Sequence, residues 1–301
     1  MPHDGKKSVS RSYVAGTQIA TPDAPIAGAA TQAVSSGSSF HAAMRILPAA
    51  QRQAMFEIYA FCRAVDDIAD CDAPHAERLA GLDAWRRDIG LCYAGMAPSA
   101  LRPLAQQIEA FHLRQQDFLD VIDGMTMDVV ADIRAPDADT LDLYCDRVAS
   151  AVGRLAVRVF GMDEAPGLAL AHHLGRALQL TNILRDIDED AAIGRLYLPA
   201  PALAAAGVQG LEHATPMEVI AHAGIDAACA AVAREAQAHY EQADAVMARC
   251  PSRVVRSPRI MSQVYHCLLV RLRARGWRAP RARVRVPRAQ LLWIVLRHTM
   301  V

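Results

Sequence analysis

The 301-residue sequence has no run of 18 or more uncharged apolar residues, although 52% of it is hydrophobic, so no segment is suited to span a membrane as a helix. It has no C-x-x-C pair, and its seven cysteines (62, 71, 92, 145, 229, 250 and 267) are scattered and odd in number. That usage argues against a disulfide framework and for a reducing, cytoplasmic setting in which thiols serve as small core residues. Net charge is also absent: 32 Lys+Arg balance 32 Asp+Glu, which removes any global electrostatic case for nucleic acid as a partner. There is no G-x-G-x-x-G dinucleotide fingerprint. Alternating β-branched runs flanked by turn signals are almost missing, which leaves little material for strands. The N-terminus lacks the continuous apolar stretch of a secretory signal.

What is present is helical. Residues 1–35 are rich in Ala, Ser, Thr, Gly and Pro and read as a mobile tail. From 36 to 301 strong helix formers dominate, and the expectation is one all-α domain. Turn-forming breaks are expected at Pro48, 71–77, 94–103, 134–140, 161–167, 191–210, 250–258 and 276–287.

Two acidic segments interrupt this pattern. "RAVDDIAD" (63–70) follows an oily run with Phe56, Tyr59 and Phe61, and places Asp66 and Asp70 one helical turn apart beside Arg63. "GRALQLTNILRDIDED" (175–190) places Asp186 and Asp190 at the same spacing beside Arg185. Here Leu180, Ile183, Leu184 and Ile187 form one stripe, and Gln179, Asn182, Asp186 and Asp190 form another. A solvated helix face normally mixes Lys with Glu. A stripe of amide and carboxylate oxygens instead provides hard ligands, which suit Mg²⁺ bridging to a substrate diphosphate. The paired aspartates Asp66, Asp70, Asp186 and Asp190 are the expected holders of the metal.

"YAFCRAVDDIAD", "QLTNILRDIDED", "GRLYLP" (194–199) and "SGSSFHAAMRILP" (36–48) together resemble the motifs of the squalene/phytoene synthase family, over the whole chain from Ser36 onward. The resemblance implies an isoprenoid-synthase helix bundle around a central cavity, and head-to-head joining of two prenyl diphosphates. It implies that Asn182 joins Asp66, Asp70, Asp186 and Asp190 as a metal ligand, and that Arg63 and Arg185 act with them on the diphosphate. It further places Gln179, Asn182 and Arg195 at the substrate, Ser38, Ser39 and Phe40 at its entry, and Tyr59 and Tyr265 in the pocket. Ionising an allylic diphosphate calls for cations at the leaving group and a dry cavity for the carbocation.

Within the family, the segment "YCDRVASAVGRLAV" (144–157) has Asp146-Arg147 where many relatives carry a tyrosine tied to a later rearrangement. The resemblance therefore implies two farnesyl diphosphates condensed to the cyclopropyl diphosphate intermediate, with no NADPH, as in bacterial hopanoid biosynthesis beside other enzymes of that pathway. Synthesis of phytoene from two geranylgeranyl diphosphates, or of squalene itself, is the alternative. Thr126 stands where many relatives carry an acid. His172-His173 have no matching ligand elsewhere in the sequence and are expected to be structural or at the surface. The nine arginines between Arg271 and Arg297, interleaved with Trp277 and Trp293, are expected to contact anionic membrane rather than nucleic acid.

Overall fold

The computed structural model describes Met44 and residues 46–130, 133–210 and 213–299. Among these residues every element is helical: α1 (Ala49–Asp70), α2 (His75–Tyr93), α3 (Arg102–Ala110), α4 (Gln115–Val130), α5 (Ala138–Cys145), α6 (Ala151–Val159), α7 (Glu164–Arg185), α8 (Ile187–Ala192), α9 (Ala200–Ala205), α10 (Pro216–Ala221), α11 (Ile225–Ala248), α12 (Ser252–Arg275) and α13 (Arg288–Thr299). The expected all-α bundle is what forms. A π-helical turn, Asp146–Ser150, joins α5 to α6. An isolated parallel bridge pairs Arg134 with Leu196.

Burial of apolar stripes organises the helices into two layers. One cluster packs α1, α2, α4 and α6 around Ile58, Phe61, Phe118 and Leu155. The other packs α7, α11 and α12 around Leu180, Leu184, Tyr240 and Leu269. Glycine brings the layers together at two points. A Cβ on Gly124 would come within 2.6 Å of Val148, and one on Gly175 within 2.6–2.7 Å of Ser150, backbone included. Close packing of α4 and α7 against the π turn therefore requires residues without side chains there.

Most of the expected breaks fall between helices, with four differences. The stretch 191–210 is not one loop, because α9 (Ala200–Ala205) forms within it. α12 starts at Ser252 and runs through Pro258, so the break expected over 250–258 is confined to Cys250 and Pro251. A break at 111–114 that carried no Gly or Pro separates α3 from α4, with His112 at φ 49°. The acidic segment 175–190 is not one helix, because α7 ends at Arg185 and α8 begins at Ile187. The N-terminal tail lies outside the described residues.

Candidate active site

The first acidic motif occupies the last two turns of α1. That helix has no basic residue in its final turn, so its negative dipole end adds to the carboxylates. Arg63 donates to Asp66 at 2.6 Å and to Asp67 at 2.5 Å. Burial, and then the Asp70 charge, push the Asp66 carboxyl up to about 6 against the pull of Arg63.

The second motif sits where α7 gives way to α8. Asp186 caps α7 by donating its N–H to Asn182 O at 2.9 Å, and accepts the Asp190 N–H at 2.8 Å, so the one-turn relation of the two aspartates survives the break. Arg185 holds Asp186 from Nε at 2.7 Å and Nη2 at 2.5 Å, and bonds Tyr265 on α12. Burial, followed by Asp186, pushes Asp190 up to about 7. Asn182 donates to Gln179 Oε1 at 3.4 Å, while its own Oδ1 is buried with no hydrogen-bond partner among the described residues. Tyr59 is half-buried, one turn before Arg63 on α1. Ser38, Ser39 and Phe40 lie outside the described residues.

Arg195 ties the motifs together. It donates to Asp70 at 2.7 Å and to Ala69 O at 3.3 Å, and its charge also acts on Asp190 and Asp128. Asp128 on α4 is a site residue that the sequence reading did not select. It is 5% exposed, and accepts Tyr197 OH at 2.7 Å and Tyr144 OH at 3.0 Å from two stacked rings. Burial raises its carboxyl, and its charge raises both Asp66 and Asp190. The available signal was a charged residue set between Met127 and Val129, which a buried helix face tolerates only with partners.

The named carboxylates Asp66, Asp70, Asp128, Asp186 and Asp190 outnumber Arg63, Arg185 and Arg195. An orphaned amide oxygen, oxygen-only donors and carboxyls raised by burial and then by one another's charge all fit a divalent cation.

An apolar channel runs between the two layers. Met55 of α1, Gly153, Ala156 and Phe160 around α6, and Leu174 and Leu178 of α7 line it. On both α1 and α7 these residues precede the acidic motif, so the channel leads away from the carboxylates. Phe61 is not at the channel; it packs edge-on against Trp85 and Phe118 in the core. Asp146 accepts from Arg154 and Arg176, each at 3.1 Å, and Arg147 faces Asp123 at 4.0 Å. Thr126 accepts from Arg86 at 2.9 Å.

Paired acidic motifs at the ends of two helices, over an apolar channel in an all-helical bundle, define a synthase of the isoprenoid type. The sequence pattern described as Squalene/phytoene synthase matches residues 33–290, and the chain belongs to that family of prenyl-transferring enzymes. It is 55% identical to presqualene diphosphate synthase of Rhodopseudomonas palustris, over 91% of this chain and 97% of that one. It is 52% identical to the Sinorhizobium fredii protein of the same name, over 88% and 94%. A 15-cis-phytoene synthase from Paracoccus is 34% identical, over 86% of each chain. Among solved structures, squalene synthase HpnC from Alicyclobacillus acidocaldarius superposes with a TM-score of 0.73 at 28% identity, over 84% of this chain and 95% of that one. A dehydrosqualene synthase shares the fold with a TM-score of 0.75 at 24% identity, over 92% and 95%.

Proposed function

We propose that this protein condenses two farnesyl diphosphates into presqualene diphosphate, releasing one diphosphate and one proton. The observation that carries the reading is the joining of the two acidic motifs through Arg195 and Asp128 above an apolar channel. Asp66, Asp70, Asn182, Asp186 and Asp190 would hold Mg²⁺, which supplies positive charge to the departing diphosphate. Arg63 and Arg185 are placed to bind diphosphate oxygens once the aspartates they now hold turn to the metal. Gln179, bonded to Asn182, and Tyr265, bonded to Arg185, would contact the substrate, and Tyr59, one turn before Arg63, would offer an aromatic face to stabilise a passing cation. The apolar channel takes a farnesyl tail and keeps water from the allylic cation.

A stop at the cyclopropyl stage is supported by two things. Relatives of that name are 50–55% identical, against 34–38% for the phytoene synthases. Asp146 and Arg147, which replace the tyrosine expected for the later step, are engaged in ion pairs. The purified protein with farnesyl diphosphate and Mg²⁺ is expected to give presqualene diphosphate whether or not NADPH is added. Squalene on adding NADPH, or phytoene from geranylgeranyl diphosphate as the preferred reaction, overturns the assignment.

No helix among the described residues is long and apolar enough to cross a membrane. Contact with an anionic membrane surface is part of the proposal, and α13 is its means: Leu292, Trp293 and Leu296 are exposed, with Arg288 and Arg297 beside them. Not all of the basic stretch is free for this. The Arg281 side chain is 4% exposed and holds Asp188 at 2.6 Å, and Arg278 pairs with Asp226.

A further inference from the structure

His172 and His173, adjacent near the middle of α7, meet His239 of α11. The partner missing from the sequence around them is supplied by the fold. One nitrogen from each of the three rings lies within 4.8 Å of the others, and His173 Nδ1 is 3.1 Å from His239 Nδ1. Nitrogen ligands of a tetrahedral zinc, each about 2.0–2.1 Å from the ion, stand roughly 3.3 Å apart. His173 and His239 already have that separation, and exposed His172 can close the remainder by turning about its side-chain bonds. The cluster is about 20 Å along α7 from Asp186, at 1.5 Å per residue, and is a different place from the acidic site.

We propose that His172, His173 and His239 form a zinc site that clamps α7 to α11, with a fourth position open to solvent. Imidazole suits zinc, whereas the acidic site offers only oxygens. Among the charged groups facing the cluster, Arg176 acts most strongly and opposes a cation, while Asp142 acts in favour of one. Arg176 lies one turn on, but it is paired with Asp142 and Asp146, and Asp146 is shared with Arg154, which also holds Asp117 and Asp120. That network contains two arginines and four aspartates. Burial, with the neighbouring rings and Arg176, pushes His239 down to about 4 and lowers the other two, so all three rings are neutral and able to bind metal near pH 7. Without an ion, the close pair needs one ring in the Nδ1–H tautomer simply to avoid lone-pair repulsion.

The test is calorimetric titration of the full-length protein, stripped with chelator, with Zn²⁺ in excess Mg²⁺. One Zn²⁺ per chain is expected. His239→Ala should weaken binding at least tenfold, exposed His172→Gln should weaken it at least threefold without affecting folding, and Asp186→Asn should leave it unchanged. Zn²⁺ should raise the melting temperature of the wild type and not of His239→Ala. Absence of binding, equal binding by both histidine variants and the wild type, or loss of binding in Asp186→Asn alone overturns the site.

Discussion

Arg195 Nη1 lies 2.7 Å from Asp70 Oδ1, across 125 residues of sequence, and joins the end of α1 to the loop after α8. The same guanidinium draws down the carboxyls of Asp128 and Asp190. It is the cation that holds two like-charged motifs close enough to share a ligand. Arg195→Gln should therefore reduce kcat/KM by at least a hundredfold. The stability loss should be modest, about 1–2 kcal/mol, because Asp70 is half exposed and regains water. Steady-state kinetics and urea unfolding separate the two effects. Full activity in this variant removes Arg195 from the site.

The raised carboxyls of Asp66 (about 6) and Asp190 (about 7) give the metal-free protein a distinct pH response. The folded chain binds these protons more tightly than the unfolded chain, whose aspartates titrate near 4. Their contribution to stability is thus fully present below about pH 4 and is lost as pH rises to about 7. Divalent cations compensate the exposed repulsion, so Mg²⁺ should raise the melting temperature more at pH 7.5 than at pH 5.5. In Asp66→Asn/Asp190→Asn the difference should vanish. An equal Mg²⁺ response at both pH values in the wild type contradicts it.

The spacing of Asp66, Asp70, Asp186 and Asp190 was legible because helix periodicity is local, and a face of oxygens stands out against an apolar background. Asp128 was not, since its significance comes from Tyr144 and Tyr197 folding over it from elsewhere in the chain. The break at Asp186 was hidden for the opposite reason: its neighbours are good helix formers, and the capping bond to Asn182 keeps nearly helical spacing. Pro258 misled because proline disfavours a helix interior in general, yet α12 carries it. His239 could not be matched to His172 and His173 without knowing that α11 lies along α7.

Gly175 stands where α7 meets the π turn. A methyl there would come within 2.7 Å of the Ser150 backbone, which cannot swing aside as a side chain can. Gly175→Ala should destabilise by about 1–3 kcal/mol, despite the better helix propensity of alanine. Chemical denaturation measures it. A stabilised variant means that α7 and the π turn are not in this contact.

Trp293 is 58% exposed on α13, with Arg297 stacked 5.3 Å from its ring. Flotation with vesicles containing anionic lipid should recover the wild-type protein at low salt and release it at high salt, as screening weakens the arginine contacts. Trp293→Ala/Leu292→Ala should reduce recovery severalfold, with turnover of soluble substrate unchanged. Equal recovery from neutral vesicles rules out the electrostatic part, and equal recovery of the double variant rules out α13.

Ala156 lines the channel on α6, beyond the turn that carries Gly153. A large side chain at this position shortens the space available to a hydrocarbon tail while leaving the acidic motifs, on other helices, in place. Ala156→Phe should therefore raise KM for farnesyl diphosphate at least tenfold and spare the ten-carbon geranyl diphosphate, each additional buried carbon being worth about 0.8 kcal/mol. The ratio of kcat/KM for the two substrates is the measurement, since it cancels any common loss from imperfect packing. The channel holds the tail if that ratio shifts toward the shorter chain. If both substrates lose equally, the tail lies elsewhere and the channel is only a packing defect between the two layers.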